Sequence, residues 1–488
     1  MSEEAASLRR TLRSTGIIGG ATVAGLVFGL VRAKVFALML GPSGLGLFGI
    51  LTTLVSAGVA IAGLNLQTSG VRAIAAEPDG SPDRAKAHAA LWTLTWMCAT
   101  FGTVLFVLFV GLGYAPATSL AVTPLGLAAL GITVFVSIVS STQLAELQAG
   151  GHIGNVARVR LWGSFLSVVA SIIMVWLFHD AGLYYAVLAA GVAGIAVSTW
   201  YVRRTSRPKC YSLTISDIAP RWRNLLQVGA GVTVGMLATT VGMLALRSII
   251  TRLDGLEAAG LFQAAVTVSS ANLAIVLAAL AADYLPRLSG ASHDREATGK
   301  IFNDQLRVAL TLSAPVLVGI CSLAPLVIDL LFSRDFSGAA GLLQWMLIGD
   351  VLKIISWCLG YIVLARGATL IFVSGEIVFQ ICSLAGTWLL YPLIGLPAIG
   401  VSYLIGYFFV LVVYSRFSIR RGAVIDTSLL LLAGVTCLAQ LAIIFIGMYH
   451  SIVAGALGVT ISATMMVGSL KMLHRAGVIN RIRDKLSI

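Results

Sequence analysis

The sequence predicts an all-α polytopic membrane protein: two six-helix bundles related by a pseudo-two-fold axis along the membrane normal, plus two C-terminal helices, fourteen transmembrane helices in all. Three observations carry this. First, 58% of the 488 residues are hydrophobic and only 11% are charged, with a mean hydropathy of +0.95, whereas soluble domains carry roughly 25% charged residues. Second, apolar runs of the length needed to cross a bilayer, about 20 residues, recur along the whole chain. A transmembrane β-barrel would instead show short alternating segments. Third, a motif near the start returns in the middle of the chain at an offset of 214 residues.

Taken in order, the first six spans start near Gly16, Gly46, Ala89, Pro124, Leu161 and Leu183. The next six start near Leu225, Gly260, Val308, Ala339, Leu370 and Pro397, and the last two cover Thr427 to Met448 and Ile452 to Leu470. This divides the chain into a six-helix lobe (1–201), a basic cytoplasmic linker (202–223), a second six-helix lobe (224–415) and a terminal pair of helices with a basic tail (416–488). The opening stretch MSEEAASLRRTLR leads into an uncleaved first span with no small-residue cleavage site behind it. Three cytoplasmic stretches, Thr68 to Lys86, Ser289 to Arg307 and His474 to Lys485, have the composition of either surface helices or solvated basic loops.

The net charge of +13 follows from orientation rather than from nucleic-acid binding. With both termini in the cytoplasm, most of the 33 Lys and Arg fall in cytoplasmic segments. Residues 202–223 hold Arg203, Arg204, Arg207, Lys209, Arg221 and Arg223, while outer turns such as Gly111 to Thr123 are nearly uncharged. The six cysteines show no CxxC spacing and read as packing residues, not disulfides or metal ligands. No GxxxxGK[ST] motif occurs, so the chain does not itself bind ATP by that device.

Six cations depart from the charge pattern: Arg32, Lys34, Arg247, Arg252, Arg334 and Lys353. Arg334 fits an outer loop, and Arg252 is near enough to a helix end to snorkel. Arg32, Lys34, Arg247 and Lys353 remain, and cations at such depth should face a polar interior rather than acyl chains. Two of them belong to the repeated motif. Gly41, Gly46-Leu47-Phe48 and Arg32 are echoed by Gly255, Gly260-Leu261-Phe262 and Arg247, the arginines one residue out of step. Ala149-x-Gly151 is echoed by Ala365-x-Gly367, and Gly182-Leu183 by Gly395-Leu396. Each unit holds an even number of spans, so both enter from the same side, which sets the axis along the membrane normal.

The segment GPSGLGLF (41–48), the segment GDVLKIISWCLGYIVLARGATLIFVSGE (349–376) and LPRLS (285–289) together resemble Wzx-type flippases of the O-antigen and enterobacterial common antigen kind, over roughly residues 10–415. That group is the polysaccharide branch of the multidrug/oligosaccharidyl-lipid/polysaccharide exporter superfamily. The resemblance implies movement of an undecaprenyl-pyrophosphate-linked glycan across the bacterial inner membrane, with a polysaccharide polymerase and a chain-length regulator as protein partners and no nucleic acid. Two features depart from it: the two terminal helices, and Asp283 before LPRLS. A pyrophosphate would need fixed cations, and guanidinium suits it because it donates paired hydrogen bonds. Arg32, Lys34, Arg247 and Lys353 are therefore the expected substrate contacts. Asp350, three residues before Lys353, is also placed to pair with it on one helix. No cofactor is expected, and intramembrane carboxylates are the usual proton or sodium relays; Asp350, Glu376 and Asp283 are the candidates, with Glu146 nearer the interface.

Three other functions compete. A small-cation (multidrug) antiporter of the same fold should present a net negative pocket. A lipid II flippase, similar in having two six-helix bundles, is a further alternative. A polymerase or ligase would need a sizeable outer loop, and the longest here run to about a dozen residues.

Overall fold

Helix breakers set the outline of the chain. In the computed structural model, which describes residues 3–113, 123–205, 214–291 and 294–475, α1 runs Glu3–Gly63 and is broken at Gly41, where φ is 65° and ψ −167°. Helix α7, Ile215–Gly290, is broken at Asp254 and Gly255, and Gly255 adopts φ 78° and ψ −174°. Residues 41 and 255 thus share one left-handed, extended conformation that costs glycine little. The repeat read from the sequence is a repeat of backbone geometry.

Between these lie α2 (Leu66–Ala75), α3 (Pro82–Gly111), α4 (Pro124–Ala149), α5 (Ile153–Phe178) and α6 (Gly182–Arg203). After α7 come α8 (Arg295–Ser322), α9 (Ala324–Leu331), α10 (Ala339–Ala365), α11 (Thr369–Ile394), α12 (Pro397–Ile419), α13 (Thr427–Gly447) and α14 (Ser451–Arg475). Eleven stretches of described residues are long and apolar enough to cross a membrane. Three of them, 19–63, 153–203 and 235–274, contain a break and have the length of two crossings each. By contact density the chain forms two compact units, up to residue 263 and from residue 264.

Local chemistry explains the ends. Pro124 and Pro397 open their helices within the first turn, where a missing N–H costs nothing. Ser81 accepts from the Arg84 N–H and Thr123 from the Gly126 N–H, as N-caps do. At the start of α7, Asp217 accepts from the Thr214 hydroxyl (2.6 Å) and from its N–H (3.0 Å), and these bonds hold its carboxyl below the usual range. Helices α4 and α10 end in the same motif: the His152 N–H reaches the Leu147 carbonyl and Gly151 that of Gln148, as Ala368 reaches Val363 and Gly367 reaches Leu364. Gly151 and Gly367 both have positive φ, which the helix-ending turn requires.

Five helix starts differ from the sequence reading. Helices α1, α3, α5, α7 and α8 begin 13, 7, 8, 10 and 13 residues before the expected starts at Gly16, Ala89, Leu161, Leu225 and Val308, because polar helical turns continue outside the apolar span. Within the stretch 289–307, residues 295–307 are the start of α8, not a separate surface helix, while 68–86 holds most of α2, a turn and the start of α3. Pro325 starts α9 and cuts the ninth span at Ser322. The tail stretch 474–485 lies almost wholly outside the described residues.

Candidate functional site

In the first unit the two broken helices meet at their turns. A Cβ on Gly46 would overlap the carbonyl oxygen of Leu256, and one on Gly260 would overlap that of Pro42. Positions 46 and 260 are equivalent in the repeat, as are 42 and 256, so each contact is the mirror of the other. Reciprocal contacts of this kind are what a two-fold axis between the turns produces. Only glycine allows backbones so close.

This crossing positions the arginines. The Arg32 guanidinium lies over the Phe48 ring, 4.9 Å from its centroid, and that of Arg247 lies over the Phe262 ring at 5.4 Å. Phe48 and Phe262 are equivalent, so the arginines are matched in space although one residue out of step in sequence. Their surroundings differ at one equivalent position: where the second copy has Gln263, the first has Gly49. Arg247 Nη2 donates to Gln263 Oε1 at 2.5 Å, and the guanidinium fills the space a side chain at position 49 would need. Arg247 is only 4% exposed, and its Nε and Nη1 have no hydrogen-bond partner. Arg32 stays half-buried and lines an open cavity of about 340 Å³ with Gly25, Gly29, Arg160, Gly163 and Ser164. Among the described residues, no carboxylate lies within 4 Å of either arginine. Lys34 is half-buried on the same arm of α1.

The second unit holds a different arrangement. Asp350, fully buried on α10, accepts from Ser269 Oγ and from the Tyr403 hydroxyl, both at 2.8 Å. Lys353 Nζ donates to that same Tyr403 oxygen at 3.2 Å and faces the Tyr403 and Tyr407 rings at 5.6 and 5.3 Å. Asp350 and Lys353 are thus joined through a phenol rather than directly. Glu376, half-buried, lies on α11. The side chain of Asp283 is outside the described residues. Glu146 pairs with His88 at 2.8 Å, the two joining α4 to α3.

The sequence reading brought forward the charged residues and passed over Gln263, Ser269, Tyr403 and Tyr407. A signal for the tyrosines was present: positions 403 and 407 are one helical turn apart in an otherwise apolar span, on one face. Nothing in the sequence marked Gln263 or Ser269 from other polar residues. Among the tryptophans, Trp96 and Trp162 are half-exposed, and each packs on a phenylalanine, Phe135 and Phe165 respectively.

Comparison with known proteins places the fold. A family profile described as polysaccharide biosynthesis protein matches residues 35–340. The lipid III flippase of Escherichia coli (strain K12) is 23% identical over 382 residues, covering 74% of this chain and 87% of that protein. Among solved structures, the lipid II flippase MurJ in an inward closed conformation superposes with a TM-score of 0.70 at 14% identity, over 94% of this chain and 99% of that one. An inward-facing multidrug resistance MATE family transporter of the MOP superfamily gives 0.67 at 16% identity, over 83% and 98%. These relatives are flippases and transporters rather than enzymes, and the chain shares their fold. Since the profile spans well over half of the chain, this multi-pass membrane protein belongs to the polysaccharide biosynthesis protein family.

Proposed function

We propose that the protein is a flippase that moves an undecaprenyl-pyrophosphate-linked oligosaccharide from the cytoplasmic to the periplasmic leaflet of the bacterial inner membrane by alternating access, for assembly of O-antigen, exopolysaccharide or capsule. The observation that carries this reading is Arg247: a buried guanidinium with two unmatched donors and, among the described residues, no carboxylate within 4 Å. A buried charge without a partner costs several kcal/mol, and an anion supplied from outside the chain would offset that cost. A pyrophosphate offers oxygens for paired N–H donors. Arg32, over the equivalent phenylalanine and open to a cavity, is the second contact, and Lys34 on the same arm adds charge. The similarity to the lipid III flippase supports a lipid-linked glycan as the substrate class.

Lys353 is the least suited of the four cations to hold substrate, since Tyr403 already occupies it. With Asp350, Tyr403 and Glu376 it forms the better candidate for proton or sodium coupling. Protonating Asp350 would weaken the network that fixes α10 to α12.

The competing reading, a cation antiporter, calls for an acidic pocket, and the arginine pair offers the opposite charge. The test is complementation of a flippase-deleted strain by Arg247→Ala, with membrane abundance measured in parallel. Loss of surface polysaccharide at normal abundance supports the reading; full complementation overturns it. Reporter fusions after Arg421 and Arg475 should both read cytoplasmic if both termini lie inside.

A further inference from the structure

The second arm of α1 and the first arm of α7 share a polar face that the arginines do not account for. Thr52, Thr53 and Ser56 on α1 and Thr239, Thr240 and Met243 on α7 line an open groove of about 280 Å³. Gly49 touches the Arg247 guanidinium, which fixes the register: 49 lies beside 247, 52 and 53 toward 243, and 56 toward 239 and 240. At 1.5 Å per residue the hydroxyls lie about 5 to 10 Å along the helix from Arg247. The exposed face along the end of α3 differs: Phe101, Val104, Leu105, Leu108 and Phe109 are exposed there, all of them apolar.

The hydroxyls are also oriented. Thr52 donates to the Phe48 and Gly49 carbonyls, Thr53 to Gly49, Ser56 to Thr52, and Thr240 to Met236, at 2.7 to 3.0 Å. Each proton is spent on the helix's own backbone, so what each oxygen presents to the groove is a lone pair. A face of acceptors suits a ligand rich in O–H donors. The unmatched donors of Arg247 at its end suit an anion. An anion with hydroxyls following it is the chemistry of a glycosyl pyrophosphate.

We infer that this groove is a sugar subsite: Thr52, Thr53, Ser56 and Thr240 accept hydrogen bonds from the hydroxyls of the sugar attached to the pyrophosphate, while Arg247 holds the phosphates. The inference rests on the reading of Arg247 given above. Since the face presents acceptors without a fixed pattern of donors, it selects for a hydroxylated sugar rather than for one sugar.

The test compares two probes on the purified full-length chain: undecaprenyl pyrophosphate, and the same lipid carrying one N-acetylglucosamine. The wild-type protein should bind the glycosylated lipid about 10-fold more tightly, as two or three modest hydrogen bonds would give. Thr52→Val/Thr53→Val/Thr240→Val should bind both lipids equally, at the wild-type affinity for the bare one. Thr52→Ser/Thr53→Ser/Thr240→Ser should keep the preference. If the triple valine variant fails to reach the membrane, Thr53→Val and Thr240→Val singly should each lose part of it. No preference in the wild type, or an undiminished preference in the valine variants, overturns the subsite and leaves the role of Arg247 standing. Binding of neither lipid by the wild type, or bare-lipid affinity unchanged in Arg247→Ala, overturns the reading of Arg247 and the subsite with it.

Discussion

Arg247 and Lys353 are both cations deep in apolar helices, and their settings are opposite. Around Lys353 the chain supplies its own compensation: a phenol oxygen at 3.2 Å, a carboxylate on the far side of that phenol, and two aromatic faces. Around Arg247 it supplies one amide oxygen, one ring face and a glycine that makes room. A charge balanced from within can hold helices together or respond to a proton. A charge left open is available to something that comes and goes. Position in the sequence does not separate the two cases; the neighbours do.

Mutation should break the comparison cleanly. The largest effect on stability is expected at Lys353. In Lys353→Met the Asp350 carboxylate keeps its two hydroxyl donors but loses the cation beyond Tyr403 that balances it, and a buried charge left uncompensated costs up to about 3–5 kcal/mol. Membrane abundance or the thermal midpoint of the purified protein should fall accordingly. Asp350→Asn/Lys353→Met should recover most of it, since both charges are gone. Arg247→Met should behave in reverse, with stability equal to or above wild type and transport reduced at least tenfold. Arg247→Lys should recover part of the transport, because it keeps the charge without the planar fork. If Arg247→Met is lost from the membrane and Lys353→Met is not, the assignments are exchanged.

Tyr403→Phe sharpens the contrast with a smaller change. It removes the single atom joining Asp350 to Lys353 while keeping the ring that Lys353 faces. Leaving Asp350 one donor short should cost about 1–3 kcal/mol. Transport measured across a range of external pH should shift if the network couples to a proton, and only the amount of protein should change if it does not. Arg32→Ala is expected to reduce transport less than Arg247→Ala. Arg32 has no amide holding it and is only half-buried, so water can take part of its role.

The fold was legible in the sequence because bilayer crossing and duplication both leave marks on composition. Span lengths, the glycine turns at 41 and 255 and the helix-ending glycines at 151 and 367 follow from residue types with narrow conformational uses. The site was legible only in part. Charge in an apolar run identified Arg32, Arg247, Asp350 and Lys353. The direction each faces depends on which helices pack beside it, and hence on Gln263, Tyr403 and Ser269, whose neighbours lie up to 81 residues away in the chain. The one-residue slip between the arginines obscured their equivalence, which only the ring contacts with Phe48 and Phe262 restore.

The smallest effect is expected where a charge pair stands in water, and it serves as the control for the rest. Arg221, near the start of α7, reaches Glu77 at 3.1 Å and Asp83 at 2.8 Å, tying the end of the stretch read as the basic linker to the turn after α2 and to the first turn of α3. Drawn on a page it is a better salt bridge than anything at Lys353. All three side chains keep access to solvent, however, and Asp83 is about half exposed. Water therefore solvates whichever partner is left behind, and such pairs contribute about 0–1 kcal/mol each. The apolar contacts beneath, where Ile218 and Leu225 pack with Leu66, Ile74 and Leu91, remain when the charge is removed. Arg221→Ala should therefore lower the thermal midpoint by no more than a few degrees, and raising ionic strength should shrink the difference further, since exposed pairs are screened within about 8 Å at physiological salt. Lys353→Met should show no such salt dependence, because its partners are buried. An Arg221→Ala loss as large as that of Lys353→Met, unchanged by salt, would show that burial is not what separates the two kinds of charge in this protein.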